Sequence, residues 1–143
     1  MMRLSTKGRY GTRLMLQLTL KYGDGPILLK DIGAKEGISV RYLEHLIPPL
    51  KSARLINSTR GAHGGYTLSK APSEINLKEI VEALEGTLVP SECINAPSVC
   101  ERASSCVSRN IWKMLGENIA QTLESITLEN MLEMMQKKSQ NDI

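Results

Sequence analysis

The sequence predicts a mostly α-helical chain: a winged helix-turn-helix with a small β-hairpin wing, followed by a long C-terminal helix suited to dimerisation. Three observations carry that prediction. Two helical segments near the N-terminus are separated by a glycine turn, a glycine-rich hairpin pattern follows them, and a long amphipathic segment fills much of the last third. The composition agrees, because 143 residues include no Phe, one Trp and four Tyr. The core must come from Leu, Ile, Val, Met and Ala, which is a helical vocabulary more than a sandwich one.

Taken in order, Tyr10, Leu14, Leu18 and Tyr22 recur on one helical face, and Gly23-Asp24-Gly25-Pro26 ends that helix. A second helix is expected over Leu29 to Glu36, with Leu28, Leu29 and Ile32 inward, closed by Gly37. Ser39 is placed to cap a third helix whose inner face is Leu43, Leu46, Ile47 and Leu50. Pro48 and Pro49 lie inside it and predict a kink or an irregular turn. Two packed helices with no ligand would show the same inner pattern. The outer residues separate the two readings: Ser39, Arg41, Tyr42, Glu44 and His45 crowd the start of the third helix, where a recognition helix enters a major groove.

The hairpin is expected from Leu55 to Arg60 and from Tyr66 to Leu68, with Gly61-Ala62-His63-Gly64-Gly65 at its tip. Such a tip lets backbone approach a phosphate or a minor groove, with Arg60 supplying charge and Gly61 and His63 exposed beside it. The tip lacks the Gly-Lys-Ser/Thr ending of a nucleotide-binding loop and opens no helix. Charge follows the same division. Residues 1–66 carry eleven Lys/Arg against four Asp/Glu, whereas residues 67–143 carry seven against eleven. A basic half suits a polyanion such as double-stranded DNA.

A short helix, Leu77 to Leu84, closes the first unit at Gly86, giving a DNA-binding domain over residues 1–86. Residues 87–107 break all periodicity and hold every cysteine of the chain, Cys93, Cys100 and Cys106, in a Cys-x6-Cys-x5-Cys spacing. Their polar neighbours, Glu92, Asn95, Glu101 and Ser105, make core filling a poor explanation. A disulfide would leave one thiol over. An iron–sulfur cluster, a zinc ion and redox-active thiols all remain open on this chemistry. Residues 108–135 form the dimerisation unit: Trp112, Leu115, Ile119, Leu123 and Ile126 stripe a helix from about Ser108 to Ser125, and Thr127 caps a closing helix with Met131, Leu132 and Met135 inward. The same stripe would also suit a helix folded back on its own domain. Residues 136–143 are expected to fray.

No apolar run reaches the ~20 residues of a membrane span. Leu14 to Leu20 follows Arg9 and Arg13 but carries Gln17 and Thr19 and precedes no small-residue cleavage site, so it is not a signal peptide. A cytoplasmic location and no membrane partner are expected. No enzyme is expected either, since His45 and His63 both fall on the DNA face without a nucleophile beside them.

The stretches Met2-Arg3-Leu4-Ser5-Thr6-Lys7-Gly8-Arg9-Tyr10, Gly37-Ile38-Ser39-Val40-Arg41-Tyr42-Leu43-Glu44 and Arg60-Gly61-Ala62-His63-Gly64-Gly65-Tyr66, with the cysteine loop leading into a Trp-bearing helix, resemble the iron–sulfur cluster regulator (IscR-like) family of bacterial winged-helix transcription factors. The resemblance covers Met2 to about Met135. It implies a homodimer joined along the long helix, bases read from Tyr42, Glu44 and His45, and Arg60 in the minor groove. It also implies a 2Fe–2S cluster on Cys93, Cys100 and Cys106 whose status sets repression, with iron–sulfur assembly proteins among the partners. Two departures matter: a histidine expected three residues after the third cysteine is Arg109, which cannot ligate iron, and the acidic ligand that the nitric-oxide-sensing branch takes from near the partner's N-terminus is matched by Gly8. The fourth ligand is left open among Glu101, Glu92, an exogenous thiol and water. Two alternatives stand beside this reading: a cluster-free relative sensing thiol oxidation or a partner protein, and a small iron–sulfur electron carrier, which would need four ligands and no basic wing.

Overall fold

The computed structural model describes residues 2–141. Helices α1 (Thr6–Leu20), α2 (Leu29–Glu36) and α3 (Val40–Ser52) precede an antiparallel hairpin of β1 (Ile56–Thr59) and β2 (Gly65–Leu68). Helices α4 (Leu77–Glu85), the single-turn α5 (Glu92–Asn95), α6 (Val107–Glu124) and α7 (Leu128–Asn141) follow. The predicted winged helix-turn-helix is therefore present. Its core joins Leu14, Met15 and Leu18 of α1 to Ile32, Leu43, Leu46, Leu50, Leu55, Ile56 and Leu68, all buried.

Local chemistry explains the boundaries. Gly37 adopts φ 67°, the left-handed conformation glycine tolerates, and returns its N–H to the Gly33 carbonyl at 2.9 Å. Two residues on, the Ser39 hydroxyl accepts from the Tyr42 N–H at 3.1 Å and starts α3. Asn76 and Glu79 exchange side-chain and backbone bonds at the head of α4, and Thr127 and Asn130 do the same at the head of α7. These two helix starts are also stitched together: the Leu77 N–H donates to Ile126 at 2.8 Å and the Leu128 N–H to Ile75 at 3.0 Å. Leu128 is fully buried, so α7 closes over the winged-helix core and packs on α1.

Four expectations are corrected. Helix α1 stops at Leu20, which leaves Tyr22 half exposed beyond it, off the inner face. Leu28 precedes α2 in extended conformation and is exposed, while Leu29, Ile32 and Gly33 make the inner face. Helix α3 runs through Pro48 and Pro49, so the irregular-turn alternative does not occur. Each interior proline costs about 3 kcal/mol. Leu43, Leu46, Ile47 and Leu50 stay buried on both sides of the pair, and each contributes about 1.5–3 kcal/mol. Burial therefore matches or exceeds the cost, and the carbonyls left without donors belong to the exposed Glu44 and His45. Finally, α7 stays helical through Asn141, past the Gln136 where fraying was expected. The last two residues of that expected tail lie outside the described residues.

The N-terminus of α1 is held by a residue far away in sequence. Ser5 makes no side-chain cap bond to the helix. Instead the Glu85 carboxylate accepts from the Ser5 N–H at 2.9 Å, from the Gly8 N–H at 3.1 Å and from the Ser5 hydroxyl. A carboxylate is favoured there by the helix dipole as well. A Cβ at position 8 would stand 2.5 Å from the Glu85 Oε1, so a larger residue there would push the carboxylate off the helix end. Replacing Glu85 by alanine should lower unfolding free energy by about 2 kcal/mol, through loss of charge-assisted bonds to otherwise unpaired donors. A urea midpoint equal to that of the wild type would contradict this.

Candidate functional site

The face predicted to meet DNA is built by α3 and the hairpin. Ser39, Arg41, Glu44, His45, Arg60, Gly61 and His63 are exposed, and Tyr42 is half-buried. The partial burial of Tyr42 has a cause: its ring meets Tyr10 of α1 edge-on, centroids 5.5 Å apart at 80°. Arg13 lies over the same Tyr10 ring and is paired with Glu36 at 2.7 Å, while Gln17 donates to the other Glu36 oxygen at 2.5 Å. The recognition segment is thus braced against α1 and the end of α2.

The wing is anchored at its base. Thr59 pairs with Gly65 and Ile56 with Leu68, and Ile27 exchanges both backbone bonds with Tyr66 at 3.0 and 2.9 Å. Lys51 at the end of α3 donates to the Ser58 hydroxyl at 3.0 Å. The Gly64 N–H closes the tip on the Gly61 carbonyl at 3.0 Å. These contacts fix where Arg60 and His63 emerge relative to α3.

The cysteine loop has the opposite character. Between Leu84 and Gly116 no residue is buried. Cys93 and Cys106 are half-buried, Cys100 is exposed, and all three are free thiols. The Cys93 Sγ lies 3.3 Å from the Ser91 hydroxyl, and Cys106 occupies the position just before α6. Among the described residues, no three or more His, Cys, Asp or Glu side chains stand close enough together to hold a metal ion. The donor set therefore fits an iron–sulfur cluster in kind, as three accessible soft thiols, but is not preassembled within one chain. Glu92 and Glu101 are exposed, and neither is grouped with the thiols in this arrangement. Arg109 is engaged elsewhere: its Nε donates to the Cys93 carbonyl at 3.0 Å and its Nη2 to the Ile94 carbonyl at 3.4 Å. The residue standing where a histidine was expected is a strut tying α5 to α6. Its spacing from Cys106 puts it on the first turn of α6, but no local signal names its partners.

Helix α6 turns its two apolar faces to different surroundings. Leu123 packs on the winged-helix core, and Ile119 lies with it beside Met2, Leu4, Leu88 and Pro90. Of the expected dimer residues, Leu115 and Ile119 are half-buried and only Trp112 is well exposed. The face left in solvent is Val107, Ile111 and Met114, 75%, 52% and 54% exposed, while Trp112 is the exposed end of the other stripe. No helix among the described residues is long and apolar enough to cross a membrane.

The family model of Rrf2, an iron-dependent transcriptional regulator, matches residues 4–134. The chain belongs to the Rrf2 family. It is 39% identical to protein rrf2 of Nitratidesulfovibrio vulgaris over 131 residues, 92% of this chain and 87% of that one. It is 37% identical to the HTH-type transcriptional regulator IscR of Photorhabdus laumondii, over 92% of this chain and 79% of that one. The solved structure of CymR, the global cysteine regulator of B. subtilis, superposes with a TM-score of 0.77 at 38% identity, covering 93% of this chain and 98% of that one. This Rrf2-family chain is a DNA-binding transcriptional regulator and not an enzyme.

Proposed function

We propose that this Rrf2-family chain is a homodimeric repressor that senses iron–sulfur cluster status through a 2Fe–2S cluster on Cys93, Cys100 and Cys106. The observation that supports this most is the confinement of every cysteine to a stretch without a buried side chain, next to the long helix. Such thiols stabilise no core, so their presence in one loop is best explained by ligation. Arg109 cannot ligate, so the fourth position falls to Glu101, Glu92 or a ligand from solution. A weak fourth ligand suits a cluster that must be lost to signal. The cluster, when bound, supplies a group whose loss responds to iron supply or oxidants.

The chain's own residues transmit that state. Cys106 sits at the start of α6 and Arg109 ties the Cys93–Ile94 backbone to the same helix. Ordering the loop therefore restrains α6. In a dimer joined along α6, that restraint sets the spacing of the two recognition helices on double-stranded DNA. Iron–sulfur assembly proteins are the natural donors of the cluster. Anaerobic reconstitution with iron and sulfide should give a coloured protein with visible charge-transfer absorption, and Cys100→Ala should abolish it. A colourless wild-type product overturns the cluster reading.

One observation favours a second reading, thiol-oxidation sensing without a cluster. Cys100 is exposed at the edge of a recess of about 380 Å³ that also holds Glu101 and Arg109. Thiol counts before and after peroxide would fall under this reading in protein that never held iron.

A further inference from the structure

We infer that Arg9 is a fixed phosphate anchor for DNA, held in place by Tyr10 and thereby set against the recognition helix. This inference rests on the DNA-binding role alone and needs neither the cluster nor the dimer. Arg9 is exposed on the second turn of α1, with its guanidinium 5.8 Å from the Tyr10 ring centroid. That ring in turn lies 5.5 Å from the ring of Tyr42, in the first turn of α3. The guanidinium therefore stands within roughly the 12 Å width of a major groove from the side chains that enter it. A duplex seated on the start of α3 brings a flanking backbone strand to this side of α1.

The two arginines on the ring have different tasks. Arg13 is neutralised by Glu36, to whose side chain and backbone carbonyl it donates. Among the described residues Arg9 is in no ion pair, and its one polar contact is a long bond to the Thr6 hydroxyl at 3.4 Å. Glu85, the carboxylate nearest this end of the helix, is occupied by Ser5 and Gly8. Arg9 thus presents a stacked, uncompensated guanidinium with donors left over, which is the form that binds phosphate oxygens in pairs. Stacking also removes part of the side-chain entropy that binding would otherwise cost.

The test is a salt titration of duplex binding, followed by fluorescence anisotropy. The probes are a short duplex of random sequence and a duplex that the wild-type protein selects from a random pool. Arg9→Gln should weaken both probes by the same factor and reduce the slope of log K against log salt by about 0.9 per bound protomer, one phosphate's worth. Tyr10→Leu should weaken both as well, and adding Arg9→Gln to it should cost less than Arg9→Gln costs alone, because the anchor has already lost its seat. An unchanged slope in Arg9→Gln, with wild-type melting temperature, overturns the inference. So does a loss confined to the selected duplex, which would make Arg9 a base reader, or full additivity with Tyr10→Leu. A wild-type protein that binds neither duplex would fail at the DNA-binding role itself, an outcome distinct from these.

Discussion

Gly65→Ala is expected to cost about 3 kcal/mol of stability and to lower DNA affinity at least about ten-fold, from one added methyl group. Gly65 opens β2 at φ 143°, where only glycine is unstrained. More decisively, a Cβ there would stand 2.4 Å from the Ile27 carbonyl oxygen and 2.6 Å from its carbon. Both are backbone atoms and cannot rotate away. The only relief is to separate Ile27 from Tyr66, which breaks the paired hydrogen bonds seating the hairpin on the body of the domain. The strain alone accounts for about 1–3 kcal/mol, and the lost backbone bonds add to it. Arg60 and His63 ride on this hairpin, so their direction is lost with its seat. Urea unfolding and duplex anisotropy report the two effects separately. A variant with wild-type values in both would show that the wing is not held through Ile27.

The fold was legible in the sequence wherever its determinants are local. Gly37 and Ser39 sit within one turn of the elements they bound, and the glycines between Arg60 and Tyr66 mark a hairpin on their own. What escaped the sequence are pairings across distance and sums of competing terms. Glu85 caps a helix that begins with Ser5 and Thr6, and nothing near either end announces the other. The prolines of α3 obey a local rule that four buried side chains outweigh. Periodicity placed Leu123 on a stripe with Trp112, but could not say that one end of the stripe would meet the core and the other solvent. The cysteine loop divides in the same way. Its residue types signal ligation chemistry, whereas the arrangement of the thiols depends on contacts that one chain does not supply by itself. Arg109 is the sharpest case: excluding it as a ligand needed only its side-chain chemistry, but its role as a strut needed the carbonyls of Cys93 and Ile94 in place.

Ile111→Glu is expected to convert the proposed dimer into monomers, raising its dissociation constant by about a thousand-fold. Val107, Ile111 and Met114 recur at helical spacing on the part of α6 that the chain leaves in solvent. Covering each side chain contributes about 1.5–3 kcal/mol, and a two-fold interface covers each one twice. An unpaired carboxylate at the centre of such a seam costs roughly 4 kcal/mol, close to three decades in affinity. The same residue is already solvent-exposed in the single chain, so the monomer should keep its fold and its urea midpoint at high dilution. DNA binding should nevertheless fall with dimerisation, because one recognition helix reads only one half-site and two half-sites lie about one helical turn apart. Glu133→Gln, an exposed position on α7 and not on α6, serves as the control and should leave both properties unchanged. Sedimentation velocity distinguishes the outcomes. An Ile111→Glu protein that sediments as the wild type does, with undiminished duplex affinity, would move the seam away from α6's outer face. The recess formed by Met2, Leu4, Ile119 and Leu123 would then be the next surface to substitute, since it is the other place where α6 meets exposed apolar side chains.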